Sequence, residues 1–431
     1  MREMRESGVE WLGDIPETWN LVQLGSLFSE HKNKNIGMQS TNLLSLSYGN
    51  IIRKDINTSD GLLPESFEGY NVIDDGDIVL RLTDLQNDQR SLRVGLSRER
   101  GIVTSAYVTL RKRNPAMNSQ FFYYLIHSYD VRKGFYGMGA GVRQGLNFAS
   151  IRKIMLTLPS ADEQKAIADF LGKKIAQVDT LIANVQAQIE KLKAYKQSLI
   201  TEVVTKGLDP AMPMKDSSVE WIGSIPTHWE KLRVKNIGNT QNGISKGGEY
   251  FGSGYPFVSY GDVYKNMELP RAVAGLVEST DTERANYSVK KGDIFFTRTS
   301  ETIEEVGFSA VCVETIDDAT FAGFLIRLRP LNDALTTQYA KYYFRGEHIR
   351  RYLVKEMNLV TRASLGQGLL KAMTVLIPPH EEQIAIAEYL DDKCSHIDRL
   401  IAIKQKKIEK FEQYKRSIIY EYVTGKKEVN A

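Results

Sequence analysis

Two stretches of the chain carry the same long, stepped pattern of apolar positions. From Asp162 to Lys206, apolar side chains recur at Leu171, Ile175, Val178, Ile182, Val185, Ile189, Leu192, Leu199 and Val203, a four-three step broken only at Lys196. That step is a heptad seam, and it predicts one long helix in need of a partner helix. The chain supplies the partner. Between Glu381 and Gly425, offset by 378 − 159 = 219 positions (Pro159 to Pro378), the seam returns at Leu390, Cys394, Ile397, Ile401, Ile408, Phe411, Ile418 and Tyr422. The two helices are expected to pair as an antiparallel intramolecular coiled coil. Pro159 disfavours helix before it, Ser160 and Glu163 have capping-box spacing, and Gly207 and Pro210 end the pattern. At about 1.5 Å per residue the first helix spans roughly 65 Å, the dimension of a spacer.

A second repeat precedes each helix. SGVEWLGDIPETW, Ser7 to Trp19, recurs as SSVEWIGSIPTHW, Ser217 to Trp229, with Trp11/Trp221, Gly13/Gly223, Pro16/Pro226 and Trp19/Trp229 in step. A unit this long is a domain plus a helix rather than a solenoid repeat. The tryptophans and the Ile-Pro step read as a lid packed on a domain edge. Between lid and helix, YNVIDDGDIVLRL and YSVKKGDIFFTRT each place a turn before an apolar strand, and GIVTSAYVTLRKR and FAGFLIRLRP each read as another strand. SQFFYYLIHSYDVRKGFY puts Phe122, Leu125, Ile126 and Tyr129 on one helical face, with QYAKYYFRGEHIRRYL as its counterpart. The fold class is mixed α/β (α+β), with residues 1–158 a first globular domain and 159–207 the first spacer helix. Residues 208–377, opening on a linker 208–216, form the second domain, and 378–431 the second spacer helix.

Composition narrows the function. With 431 residues, 42% hydrophobic and 25% charged, the chain is an ordinary globular one of two or more domains. No run approaches the roughly 20 apolar residues of a membrane span, and the start has no apolar signal core, so a cytoplasmic protein is expected. Two cysteines and six scattered histidines give neither a disulfide framework nor a Cys/His metal cluster. A net charge of +3 argues nothing about nucleic acid, so any such case rests on where charge gathers. Residues 81–113 hold eight basic against three acidic side chains, 8 − 3 = +5, and residues 341–371 hold seven against two, 7 − 2 = +5. Such clusters are the footprint of phosphate binding or, more plainly, a solvated basic face.

The chain shows no chemistry of its own. Tyr136 to Gly141, YGMGAG, lacks the strand-loop-helix context of a cofactor loop, and the second copy has Glu356, Asn358 and Val360 at its glycine positions. Both copies keep an arginine just beyond, Arg143 and Arg362, suited to a phosphate contact. Asp391-Asp392-Lys393 resembles the end of a nuclease motif but lies on a heptad helix, where such neighbours do not share a face, and reads as solvated charge. There is no P-loop, H-E-x-x-H, nucleophile elbow or Asn-Pro-Pro-Tyr step. No catalytic and no metal-binding residues are assigned.

Taken in order, the doubled V-E-W-x-G-x-I-P-x-x-W, G-D-I strand, Pro-x-x-x-Glu-Gln step (Pro159, Glu163, Gln164; Pro378, Glu382, Gln383) and long helix resemble the specificity subunit of Type I restriction-modification systems. Ser160, where the second copy has Pro379 of a Pro-Pro pair, is the one departure. The resemblance implies two target recognition domains, each reading half of a bipartite double-stranded DNA sequence, with the helices as ruler. It implies docking of two modification (methyltransferase) subunits that carry S-adenosylmethionine, joined by restriction/translocase subunits that use ATP and Mg. It implies no membrane, no cofactor in this chain and no catalysis by it.

Polar loops that differ between the copies are the expected readers, because base edges are distinguished by side chains such as Arg, Asn and Gln. They are Tyr48, Asn50, Arg81, Thr83, Asp84, Gln86, Asn87, Gln89, Arg90 and Arg143 in the first domain, and Tyr260, Asp262, Thr297, Arg298, Thr299, Ser300 and Arg362 in the second. The rival is a coiled-coil scaffold for proteins without specific DNA binding.

Overall fold

The two heptad patterns fold as expected. Ala161–Lys206 is one continuous helix of 46 residues and His380–Val423 another of 44. The first opens on its capping box: Glu163 N donates to Ser160 Oγ at 3.2 Å, and Ser160 N donates to Glu163 Oε2 at 3.2 Å. It ends at Gly207, whose φ of +79° suits a residue without Cβ. Every seam residue named above, on both helices, is buried or half-buried. At the break in the seam, the Lys196 ammonium pairs with Asp398 at 2.6 Å instead of leaving the interface.

The computed structural model describes residues 2–57, 64, 66–85, 88, 92–138, 145–300, 306–356 and 363–429. It divides into two compact units, Met1–Gln186 with Lys406–Ala431, and Ala187–Gln405. These bounds cut through both helices, whereas the sequence pattern divides the chain at the helix ends. The reason is burial. In the first unit, Ile418, Ile419 and Val423 from the end of the second helix share a core with Leu12, Trp19 and Leu171. In the second unit, Ile200, Val203 and Val204 from the end of the first helix share a core with Trp229, Ile386 and Leu390. Each unit thus holds half of each helix, and within each the two halves run antiparallel. In the first, Phe170 faces Tyr422 at 4.5 Å and Asp179 pairs with Lys415 at 2.7 Å. In the second, Gln188 receives Lys404 at 2.5 Å alongside the Lys196–Asp398 pair.

Within the first unit, an antiparallel sheet orders the strands Phe28–Glu30, Val108–Lys112, Ile78–Leu80 and Val94–Leu96. A second sheet orders Asn50–Lys54, Leu43–Ser47, Gly101–Val103 and Asn71–Ile73, with Leu43–Ser47 parallel to Gly101–Val103. The second unit repeats the plan with Gly238–Asn242, Leu325–Pro330, Ile294–Thr297 and Ser309–Val311, beside Leu276–Val277, Phe251–Val258 and Thr320–Phe321. The segments that read as single strands, GIVTSAYVTLRKR and FAGFLIRLRP, are each two. Turns closed by Tyr107 N to Thr104 O at 3.1 Å and Leu325 N to Ala322 O at 2.9 Å send their halves into different sheets.

The helix Ser119–Val131 is capped by Asn118, whose Oδ1 accepts from Phe121 N at 3.0 Å, and buries Phe122, Leu125 and Ile126, with Tyr129 half-buried. Its counterpart is two helices, Thr337–Tyr343 and Glu347–Glu356, interrupted at Gly346. Among the described residues, no helix is long and apolar enough to cross a membrane.

Candidate nucleic-acid interface

The shared motifs form a frame that holds the loops. In the G-D-I step the aspartate is buried: Asp77 is 2% exposed and Asp293 1%. Each caps the turn before its strand, Asp74 N donating to Asp77 and Lys290 N to Asp293, at 2.9 and 2.8 Å. Each also takes two donors from one arginine, Arg111 at 2.8 and 2.5 Å and Arg329 at 2.7 and 2.6 Å, the fork geometry that makes a buried charge tolerable. The tryptophan lid packs on its domain as expected. Trp19 and Trp229 are fully buried, and their indole N–H groups donate to Glu163 and Glu382 of the Pro-x-x-x-Glu-Gln steps at 3.2 and 3.0 Å. The adjacent Gln164 and Gln383 accept the backbone N–H of Asn118 at 3.0 Å and Thr336 at 2.8 Å, tying each long helix to the helix in its domain.

On this frame each unit joins the described ends of its two variable loops. In the first, Leu146 N donates to Leu82 O at 2.8 Å; in the second, Leu365 N donates to Arg298 O at 2.7 Å, at the equivalent place. There Thr299–Ser300 and Ala363–Ser364 form a short antiparallel ribbon. A described end of the loop after the G-D-I strand is therefore joined by a backbone bond to a described end of the loop before the last strand in each unit.

The predicted residues fall into distinct classes. Tyr48 and Gly49 are the two central residues of a hairpin turn, with φ of +44° and +82°, between paired Ser47 and Asn50. Tyr48 is 70% exposed, and Asn50 is exposed at the start of an edge strand. Arg81 is half-buried, and Thr83 and Asp84 are exposed, Asp84 at φ +59°. In the second unit Tyr260 and Asp262 are not on a turn tip but in the first turn of the helix Tyr260–Lys265. The Asp262 carboxylate accepts from Ser259 N and Oγ at 2.8 and 2.7 Å, so it is a helix cap rather than a free reader. Thr297 is a buried strand residue whose hydroxyl accepts from Phe308 N at 2.9 Å, which takes it out of reach of a base. Arg298 and Thr299 are half-buried beside the ribbon. Gln86, Asn87, Gln89, Arg90, Arg143 and Arg362, and the side chain of Ser300, lie outside the described residues.

Folding engages part of each local charge count, while Arg98, Arg100, Arg351 and Lys371 stay exposed. Of the basic residues in 81–113, Arg93 is fully buried, Arg111 is taken by Asp77 and Asp74, and Lys112 and Arg113 donate to carbonyls. In 341–371, Lys341 bridges Glu268 and Asp391 at 2.9 and 2.5 Å, Arg345 donates to three carbonyls, and Lys355 pairs with Glu220. Asp391, expected as solvated charge, is thus a tether, also accepting from Tyr342 Oη at 2.6 Å.

The sequence did not reveal two arginines that gather backbone carbonyls, Arg93 fully buried and Arg345 half-buried. Arg93 donates to the carbonyls of Arg81 at 3.4 Å, Thr83 at 2.6 Å, Asp84 at 3.3 Å and Asp88, and to Tyr136 Oη at 3.2 Å. Arg345 donates to Ser309, Val263 and Asn266 carbonyls at 2.7, 3.0 and 2.6 Å, and burial with Arg350 nearby pushes its guanidinium down to about 10. Nearby, burial raises the Asp130 carboxyl to about 6 and lowers the His127 and His348 imidazoles to about 4 and about 3.

Within the first unit a cleft of about 600 Å³ runs from Tyr48 and Asn50 past Arg98 to Lys415 and Arg416. Among the described residues the one set of side chains spaced for a metal is His31, Asp74 and Asp77, and Arg111 already occupies both carboxylates.

Comparisons with known proteins agree with this architecture. The family model described as Type I restriction modification DNA specificity domain matches residues 16–191 and 226–413. The chain is 24% identical over 416 residues, 96% of its length and 93% of the relative's, to the Type I restriction enzyme MjaVIII specificity subunit of Methanocaldococcus jannaschii. It is 26% identical over 260 residues, 58% of its length and 53% of the relative's, to the EcoKI specificity subunit of Escherichia coli K12. A chain from a solved type I R-M system, described for its complex assembly and conformational transition, shares the fold at a TM-score of 0.69 and 16% identity, covering 95% of this chain and 98% of that one. With two copies of the family's domain spanning most of its length, the chain belongs to the Type I restriction-modification DNA specificity family.

Proposed function

We propose that this chain is the DNA sequence-recognition subunit of a Type I restriction-modification complex, each globular domain reading one half of a bipartite target. The observation that supports the reading is the joining of the variable loops' ends by the same hydrogen bond in both units, Leu146 to Leu82 and Leu365 to Arg298, on a frame whose motifs the units share. A constant frame with unlike loops is what two readers of unlike sequences need. Exposed Tyr48, Asn50, Thr83 and Asp84, with half-buried Arg298 and Thr299, offer the donors and acceptors that base edges and phosphates match.

The helices complete the proposal. Each is continuous and contributes to both units, so their length sets the gap between half-sites, and their outer faces take two modification subunits. S-adenosylmethionine belongs to those subunits, and ATP and Mg to the restriction subunits that join them. This chain contributes recognition and no bond-making step.

The test is domain exchange. Replacing residues 20–158 by the corresponding domain of another specificity subunit, and mapping methylated bases in the assembled complex, is expected to change one half-site and leave the other. A change in both, or in neither, contradicts the reading.

A further inference from the structure

We infer that Arg93 is a positioning residue for the first domain's reading of its half-site. The inference rests on the DNA-recognition reading above. Arg93 is fully buried, and its guanidinium reaches the carbonyls of Arg81, Thr83, Asp84 and Asp88, four points on the loop that carries the exposed Thr83 and Asp84. Its Nε donates to Tyr136 Oη at 3.2 Å, its charge lies 5.5 Å from the Tyr136 ring centroid, and its backbone N–H donates to Asp130 at 2.6 Å. A planar fork of five donors suits this task, because it fixes several carbonyls relative to one another and has one geometry to offer.

In the sister unit the same strand position carries no cation of its own. Arg81 N donates to Arg93 O, and at the equivalent place Thr297 N donates to Phe308 O. Where the first unit buries a guanidinium, the second has the half-buried ring of Phe308, 5.3 Å from Tyr264, with the guanidinium of Arg345 from the helix end 4.8 Å from its centroid. Burying a charge is costly, and what the Arg93 guanidinium does in return is gather this loop's carbonyls, whereas Arg345 gathers carbonyls elsewhere. The role of Arg93 is to pin the loop backbone at Arg81, Thr83, Asp84 and Asp88, so that side chains meant for base edges are held before DNA arrives. Pre-ordering of this kind protects discrimination, since a loop that relaxes accommodates the wrong base pair at little cost.

The experiment uses the full chain assembled with its modification subunits. Affinity is measured for the matched duplex and for duplexes carrying one changed base pair in either half-site. Arg93→Lys is expected to reduce discrimination in one half-site by about tenfold and to leave the other within about twofold. Tyr136→Phe, which removes one anchor and keeps the ring, is expected to act in the same half-site by a few-fold. A purely structural role would weaken every duplex in proportion to the fraction folded and leave both discrimination ratios intact, and that result overturns the inference. Hydrogen exchange of strands 78–80 and 94–96 reports whether Arg93→Lys is folded; if it is not, Tyr136→Phe decides alone. Exchange of residues 20–158 separates the two ideas. If that exchange moves neither half-site, the recognition reading fails; if it moves one and Arg93→Lys still discriminates fully, only the role of Arg93 fails.

Discussion

The tetrapeptides Ser47-Tyr48-Gly49-Asn50 and Ser259-Tyr260-Gly261-Asp262 are nearly identical and fold oppositely. Both leave a strand that runs parallel to a neighbour, Leu43–Ser47 beside Gly101–Val103 and Phe251–Val258 beside Thr320–Phe321. The first then makes a tight hairpin and returns as Asn50–Lys54; the second starts the helix Tyr260–Lys265. The last residue is the local difference. Asp262 closes a capping box with Ser259, its carboxylate accepting two donors, and the helix follows. After Asn50 come Ile51 and Ile52, whose branched side chains favour a strand, and the chain accepts positive φ at Tyr48 and Gly49 to make the turn. The lesson concerns how one frame hosts two readers. The buried Asp–Arg forks, the Trp–Glu bonds and the Gln clamps are common to both units, while the layer carrying the loops is rebuilt.

The rebuilding extends to the buried charge. Counting from the strand bond and from the helix caps, Arg93, His127 and Asp130 in the first unit stand where Phe308, Arg345 and His348 stand in the second. Each unit has a guanidinium that gathers carbonyls, fully buried in the first and half-buried in the second, and the two come from different elements. Arg93 fixes the loop after the G-D-I strand, whereas Arg345 fixes the end of the helix that replaces the hairpin.

If the frame is common, breaking it should cost both units alike. Asp77→Ala and Asp293→Ala each strand a half-buried arginine and uncap a turn, with an expected loss of about 3 kcal/mol in the unit concerned. Urea unfolding followed by hydrogen exchange in each unit measures it, and a large inequality breaks the idea of a shared frame.

Acid should separate the units. His127 and His348 have imidazoles depressed below 6.5, so the unfolded chain binds the proton first and stability is lost as pH falls from about 6.5 towards 4 or 3. Asp130 is raised above the ordinary aspartate value to about 6, so its contribution has the opposite sign and grows as pH falls through 6. Between pH 7 and 5 the second unit is expected to lose about 2 kcal/mol and the first less than half of that. Exchange rates at the two pH values read the difference, and equal losses would remove Asp130 from the explanation.

The smallest effect has the sharpest sign. Gly49→Ala places a Cβ at φ +82°, 3.2 Å from Leu92 Cβ, and should cost about 1 kcal/mol. Gly261→Ala sits in a helix with only the Ser259 hydroxyl within ordinary contact, and should gain a few tenths to about 1 kcal/mol. Thermal unfolding of both variants checks whether the same substitution in the same tetrapeptide takes opposite signs.

Much of this architecture was legible in the sequence because repetition and period are strong signals. The seam positions on both helices are all at least half-buried, and the capping box at Ser160 is formed. What the seam left out is the second apolar stripe, Ile200, Val204, Ile386 and Ile419, which packs each helix end on a domain and draws the unit bounds through the helices. Charge counting failed for a different reason. Arginine has a long apolar stem and a head that satisfies carbonyls and carboxylates, so of the cations counted in sequence Arg93 lies inside and Arg111 and Arg345 are half-buried with their heads engaged. Period alone did not find the turns at 104–107 and 322–324, because the residues flanking them continue the same apolar run.

The central claim is that helix length sets the distance between two independent readers. Its most direct test is to insert seven residues in register into both Ala161–Lys206 and His380–Val423, and to map the methylated sites of the assembled complex. One heptad preserves the seam and adds about 10 Å, so the gap between unchanged half-sites should widen by about three base pairs. An unchanged gap, or half-site sequences that alter with it, would contradict the account.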